Sequence, residues 1–248
     1  MPSRKRSQSA PRPSRADIVR LLRENVGAQR MYTVWVDWVE MLALAISNAC
    51  DLAQREERER RYLDIARRYT SEQMERFALA TGALVNVFET EGFADVLGEA
   101  YSLLELPNEE RGQFFTPYHV CRLMAQMTLD GAAEAIAAQG YVTVSDPASG
   151  AGAMLIAAAE TLQAAGINYQ QQMHVAARDI DATAVHMAYI QLALLYVPAV
   201  VVQGDTLRMT EVDTWYTPAH IYDGWKWKLR NRRATPATGE HHAMAATV

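Results

Sequence analysis

Cysteine is nearly absent. The 248 residues include only Cys50 and Cys121, which lie far apart and form no CxxC pair. That argues against a disulfide framework and suits a reducing, cytoplasmic setting. The six histidines show no ligand spacing beyond the tail pair His241–His242, so no metal site is legible. A long uncharged apolar run is also missing. The most apolar stretch, "MYTVWVDWVEMLALAISNAC", carries Asp37 and Glu40 and reads as a buried helix rather than a membrane span. No apolar segment follows the basic N-terminus, so that end is not a secretory signal. There is no internal repeat and no large excess of one charge. A net charge of −5 gives no global sign of nucleic-acid binding.

What is present is ordinary for a globular chain, with 50% hydrophobic and 21% charged residues. Charge placement is more informative. Arg4, Lys5, Arg6, Arg12 and Arg15 precede the first acid, and "WKWKLRNRR" (225–233) holds five more bases. Residues 1–15, rich in Ser, Pro and Arg, are expected to be a disordered basic tail, either simply solvated or a phosphate-binding arm. Residues 16–106 read as a helical domain. "ADIVRLLRENVG" has helical apolar spacing, and a second helix covers about 30–52. In "QREERERRYLDIARRY", Glu56–Arg60 and Glu57–Arg61 are expected to pair at i,i+4 on a solvated face. "FADVLGEAYSLLEL" sets Phe93, Val96, Leu97, Ala100, Tyr101 and Leu104 on one stripe.

From Pro117 the texture changes. "PYHVCRLMAQMTL" is a helix with proline at its start. Then "YVTVSD" (141–146), "AMLIAAAETLQAAG" (153–166), "MHVAARDID" (173–181), "ATAVHMAYIQLALLY" (182–196) and "AVVVQGD" (199–205) alternate strand and helix. This β-α-β-α-β order predicts a parallel, doubly wound α/β sheet. The α/β domain is assigned to 107–212. Residues 213–248 are an aromatic and basic C-terminal segment whose last fifteen residues look disordered.

"DPASGAGAML" follows the first strand, at the carboxyl edge where such sheets bind ligands. Gly150 and Gly152 let the backbone approach a ligand closely. A dinucleotide site is one reading, but Leu155 stands where GxGxxG needs its third glycine. An acid at the first strand end suits S-adenosylmethionine, whose ammonium group Asp146 can hold. Asp179 after the second strand can accept from ribose hydroxyls, with Asp181 two residues on. Asp205 after the third strand can accept from the adenine amino group. Three acids at three successive strand ends make a constellation that none of them makes alone.

"GQFFTPYHVCRLMA" (112–125), "DPASGAGAMLIAA" (146–158), "ARDIDATAVHMAYIQLAL" (177–194) and "GDTL" (204–207) resemble the N6-adenine DNA methyltransferases. The modification subunits of type I restriction systems are the relatives they look most like, and the resemblance covers about residues 85–207. It implies a truncated Rossmann-like S-adenosylmethionine-dependent methyltransferase sheet preceded by a helical domain, with that cofactor and a DNA substrate. It also implies that Phe114, Phe115, Thr116 and Pro117 border the cofactor, and that Asp146, Ser149, Gly150 and Gly152 line its methionine part. Asp179 would hold the ribose and Asp205 the adenine.

The family's catalytic (Asn/Asp)-Pro-Pro-(Tyr/Phe) tetrapeptide is absent, because no two of the nine prolines are adjacent. The acceptor amine and its flipped base therefore have no assigned residues. "DTWYTPAHIYDGW" stands where a fourth strand would begin. Asp213, Trp215 and Tyr216 are expected to cover the sheet edge rather than to act in catalysis. A partner chain or a self-dimer on that edge is an expectation, and no membrane partner is. Trp225, Lys226, Trp227, Lys228 and Arg230 interleave rings with bases, which suits DNA contact or a plain basic tail. Two functions stay open. One is a DNA adenine-N6 methyltransferase, active alone or with a partner that supplies the catalytic loop. The other is an inactive cofactor- and DNA-binding regulator.

Overall fold

The computed structural model describes residues 14–27, 29–104, 116–234 and 245–247. Five helices come first: α1 (Arg15–Arg23), α2 (Met31–Cys50), α3 (Arg55–Ala66), α4 (Ser71–Glu91) and α5 (Val96–Leu103). Then follow α6 (Tyr118–Thr128), α7 (Ala132–Gln139), β1 (Val142–Asp146), α8 (Ala153–Ala164), α9 (Tyr169–Gln172), β2 (Met173–Asp179), α10 (Ala182–Leu194) and β3 (Ala199–Gln203). The chain continues through β4 (Asp213–Tyr216), α11 (Pro218–Tyr222), α12 (Trp225–Ala234) and β5 (Ala245–Thr247). The expected β-α-β-α-β unit is therefore present, and the fold is mixed α/β behind a helical layer.

The sheet order is β4-β3-β2-β1-β5. β1, β2 and β3 run parallel, and β4 returns antiparallel along β3. Period-two alternation decides the faces. Val142, Val144, Met173, Val175, Ala177, Ala199 and Val201 are buried, while Thr143, Ser145, Val200 and Val202 between them are half-buried and Ala176 is exposed. α8 and α10 pack on this sheet, α6 packs on α8, and α2 packs on α10. One hydrophobic core thus runs from Ile18 through Trp35, Trp38 and Leu97 to Tyr189 and Trp215.

Three expectations need correction. Arg15 does not belong to a free tail. It opens α1, where Ser14 donates its backbone N–H to Asp17 at 2.8 Å, and it pairs with Glu91 and Glu99. The last fifteen residues include strand β5, which pairs with Thr143–Ser145. The α3 charge run is not simply a solvated face. Among the described residues neither expected i,i+4 pair forms. Arg61 instead reaches Glu40 at 2.7 Å and Asp213 at 3.0 Å. Arg58, with 2% of its side chain exposed, lies 3.9 Å over the Trp215 ring. It donates to Ser47 Oγ and, at 2.8 Å, to the Thr214 carbonyl. Asp51 and Asp213 stand 3.6 and 3.5 Å from it. A buried guanidinium needs this many acceptors to offset its lost hydration, and it gets them by pinning β4 to the helical layer.

Cys50 and Cys121 are free and buried, and burial raises both thiol pKa values, that of Cys121 to about 11. No helix among the described residues is long and apolar enough to cross a membrane. A second buried polar contact ties β2 to α11. His174 Nε2 lies 2.9 Å from His220 Nδ1, against the Trp225 ring. One ring must donate and the other accept, so the accepting ring at least is neutral. Burial, and then the other charge nearby, lowers the pKa of His174 from 6.5 to about 3 and that of His220 to about 4.

Arg58→Ala should lower the unfolding free energy by about 3–5 kcal/mol in urea titration, since it strands buried Asp51 without its cation and leaves Asp213 with Arg61 alone. The histidine pair should make the protein acid-labile. Lowered folded-state pKa values mean that the unfolded chain binds more protons between pH 6.5 and about 3–4, so stability falls as pH drops through that window. His220→Asn should flatten the wild-type loss in a calorimetric series over that range.

Candidate cofactor site at the carboxyl edge of the sheet

Asp146 closes β1 and Asp179 closes β2, so parallel pairing brings both to one edge. The loop between them is held by specific bonds. Asp179 Oδ2 accepts the Gly150 N–H at 2.8 Å, and Oδ1 accepts the Asp181 N–H at 2.9 Å. The Ser149 N–H donates to the Arg178 carbonyl at 2.9 Å. Asp146 Oδ1 accepts the Ala148 N–H at 3.0 Å, and the Asp146 residue is 6% exposed. Burial raises both carboxyl pKa values, and the Asp179 charge raises that of Asp146 further. Among the described residues no lysine or arginine pairs with either carboxylate.

Asp205 follows β3 on the same edge, since the Gly204 N–H donates to the Asp179 carbonyl at 2.9 Å. Thr206 Oγ bonds the Pro147 carbonyl at 2.6 Å, which joins this loop to the first. Asp205 is partly occupied: Oδ1 accepts from the N–H groups of Leu207 and Arg208, and Oδ2 lies 3.6 Å from Arg208. Asp181 caps α10 by accepting from Thr183 and Ala184. Ser149 Oγ is buried without a partner. Gly150 and Gly152 have φ of +52° and +92°, where side chains are strained. At Gly152 the missing side chain has a packing reason as well. A Cβ there would stand 3.3 Å from the Ala188 Cβ, so glycine lets α8 approach α10.

The structure therefore brings Asp146, Ser149, Gly150, Gly152, Asp179 and Asp205 together. Thr116 and Pro117 are exposed at the start of α6, and Phe114 and Phe115 lie outside the described residues. The basic-aromatic segment is elsewhere. β4 runs antiparallel from the β3 carboxyl end at Asp213 to the amino end at Tyr216, and α11 and α12 follow from there. A five-residue strand separates the two edges by roughly 16 Å. Trp225 is fully buried against Tyr141 and His174, so its own ring has no open face to offer a base. Lys226, Trp227 and Arg230 are exposed and Lys228 is half-buried. Asp213 and Trp215 are engaged with Arg58 and Arg61, as an edge cover would be.

Sequence reasoning missed the group that braces this turn from behind. Gln191 Oε1 accepts the Leu97 N–H at 3.0 Å. Its Nε2 donates at 2.8 Å to both Asp95 Oδ1 and the Ala151 carbonyl. Asp95 caps α5 through Gly98, and burial raises its carboxyl pKa. The available signal was one amide in the apolar run "AVHMAYIQLAL".

A family model described as N-6 DNA methylase matches residues 93–222, just over half of the chain. The chain belongs to that family, a family of methyltransferases. Among solved structures it is similar to a Listeria monocytogenes protein described as a class I S-adenosylmethionine-dependent methyltransferase, with 13% identity and a TM-score of 0.41. That alignment covers 94% of this chain and 66% of the other. It is also similar to the methyltransferase subunit of a type I restriction-modification system from Streptococcus thermophilus, with 15% identity and a TM-score of 0.38. There the coverage is 78% of this chain and 57% of the other, so this chain spans at most about two thirds of either protein's length. No curated protein matches it in sequence.

Gln191→Leu should lower the unfolding free energy by about 2–4 kcal/mol in urea, because it leaves the Leu97 N–H and the Ala151 carbonyl buried and unpaired. Hydrogen exchange should quicken most at the start of α5.

Proposed function

We propose that the chain is the donor-holding part of an S-adenosylmethionine-dependent DNA adenine-N6 methyltransferase and works with a partner that carries the acceptor-binding element. One observation carries the reading. The carboxylates of buried Asp146 and half-buried Asp179, both with raised pKa values, share one sheet edge, and among the described residues no cation pairs with either. Such a pair is stabilised by a cationic ligand. A buried, unpartnered Ser149 hydroxyl on the same turn adds an orphan polar group. These acceptors fit the ammonium and hydroxyl groups of S-adenosylmethionine.

When bound, that cofactor supplies a methyl group on a sulfonium. Asp146 would accept from its ammonium group, directly or through water, and Asp179 would accept from ribose hydroxyls. Asp205 would accept from the adenine amino group with the lone pairs that Leu207, Arg208 and their neighbours leave free. The chain's contribution to an in-line transfer is position and exclusion of water. On this reading residues 107–212 form the cofactor-binding domain and residues 16–106 the helical layer that braces it. The (Asn/Asp)-Pro-Pro-(Tyr/Phe) element is absent from these 248 residues, and Asp213 is committed to ion pairs, so on this reading acceptor binding falls to an element outside them. Two free buried thiols suit a cytoplasmic protein.

Calorimetry with S-adenosylmethionine tests the proposal. Binding should be weakened more than about tenfold by Asp146→Ala or Asp179→Ala, on the order of 1.4 kcal/mol or more. Affinity should decline as pH falls through the raised carboxyl pKa values, because protonation removes the negative charge. Absence of binding by the wild-type chain would sink the reading. Transfer of labelled methyl to adenine-rich DNA by the chain alone would sink the partner requirement.

A further inference from the structure

At the amino edge of the sheet, opposite the cofactor acids, a groove of about 700 Å³ opens between the end of α2, the end of β4 and helices α11 and α12. Its walls include Leu52, Tyr216, Ile221, Trp227, Lys226 and Arg230. Leu52 is 71% exposed and Trp227 56%. This much apolar surface, rimmed by charge, marks a binding face. The one acid among the described lining residues, Asp51, is buried and faces Arg58.

The rim is of one sign. α12 contains no acid, while a chain of net charge −5 concentrates Lys226, Lys228 and Arg230 on it. Among the described residues none of the three pairs with a carboxylate. Two of them lie on rings instead: Lys228 Nζ is 4.3 Å from the Trp225 centroid, and Arg230 Cζ is 4.0 Å from that of Trp227. Lys226 also disfavours the charged form of His220 beneath the groove. Unpaired cations beside an exposed indole and a tyrosine form the usual footing for an unstacked nucleic-acid strand, with phosphates on the bases of the protein and nucleobases on the rings. A membrane surface would want apolar groups on a continuous outward stripe, whereas here they line a recess.

We infer that this groove binds single-stranded nucleic acid, independently of sequence and of the cofactor edge. The inference goes beyond the proposed methyl-donor function and can stand or fall without it, since the two edges are separated by the length of the sheet. A strand held here would anchor the protein on its substrate without placing a base at Asp146.

Fluorescence anisotropy with a fluorescein-labelled twenty-nucleotide thymidine oligomer tests it, alongside calorimetry with S-adenosylmethionine. The wild-type chain should bind the oligomer at low salt and weaken steeply as salt rises. Lys226→Glu combined with Arg230→Glu should weaken binding more than about tenfold and flatten the salt dependence. Trp227→Ala should cost about five- to tenfold with the salt slope kept, as the loss of one stacking platform would. All these side chains are exposed, so thermal midpoints should hold, and cofactor affinity should be unchanged in each variant. The inference is overturned by absence of oligomer binding, by indifference to the charge reversals, or by equal competition from polyglutamate or anionic vesicles. Duplex DNA binding as tightly with Trp227→Ala as without it would also overturn it. Loss of cofactor binding with oligomer binding intact would count only against the donor-site reading.

Discussion

One carboxylate organises the candidate site. Asp179 stands at the end of β2 and accepts from Gly150 in the neighbouring loop and from Asp181 in its own. Its backbone carbonyl accepts from Gly204 after β3. Three strand ends are therefore tied through a single residue. A parallel sheet makes this possible because it delivers all its carboxyl ends to one side. The bonds to Asp179 come from backbone N–H groups rather than from cations, so the edge keeps its negative charge.

The helical layer is part of this arrangement rather than an addition to it. Gln191 links the start of α5 to the Ala151 carbonyl in the glycine turn, and Arg58 links α3 to β4. Both are polar groups held in apolar surroundings, where each lost bond is expensive. Such contacts set where the helical layer sits on the sheet, because hydrophobic packing alone tolerates sliding. The helices thereby fix the back of the turn, and β4 closes an edge that would otherwise present unpaired backbone groups.

The two faces of chemistry point in opposite directions along the strands. Acids gather at the carboxyl edge, and the bases and exposed indole of α12 gather at the amino edge. Residues Asp205 and Lys226 are only about twenty positions apart in sequence. The antiparallel return of β4 carries the chain from one edge to the other between them.

Much of this was legible in the amino-acid order. Alternating β-rich and helical runs, with glycine after β1, α8 and β3, are local signals, and they gave the parallel unit and its acids at the strand ends. The Val96–Leu104 stripe and the α2 run were legible for the same reason, since period 3.6 identifies a buried face before any partner is known. What burial does to a charged or aromatic side chain was not legible. Arg58 and Trp225 look like surface residues because their neighbours in sequence are charged, yet each is buried by elements distant along the chain. The pairing of His174 with His220, the brace at Gln191 and the placement of "WKWKLRNRR" away from the cofactor acids depend on the same long-range contacts. Local sequence determined which elements form and which residues end them. Only tertiary packing decided which polar groups became buried and at which edge of the sheet each one stands.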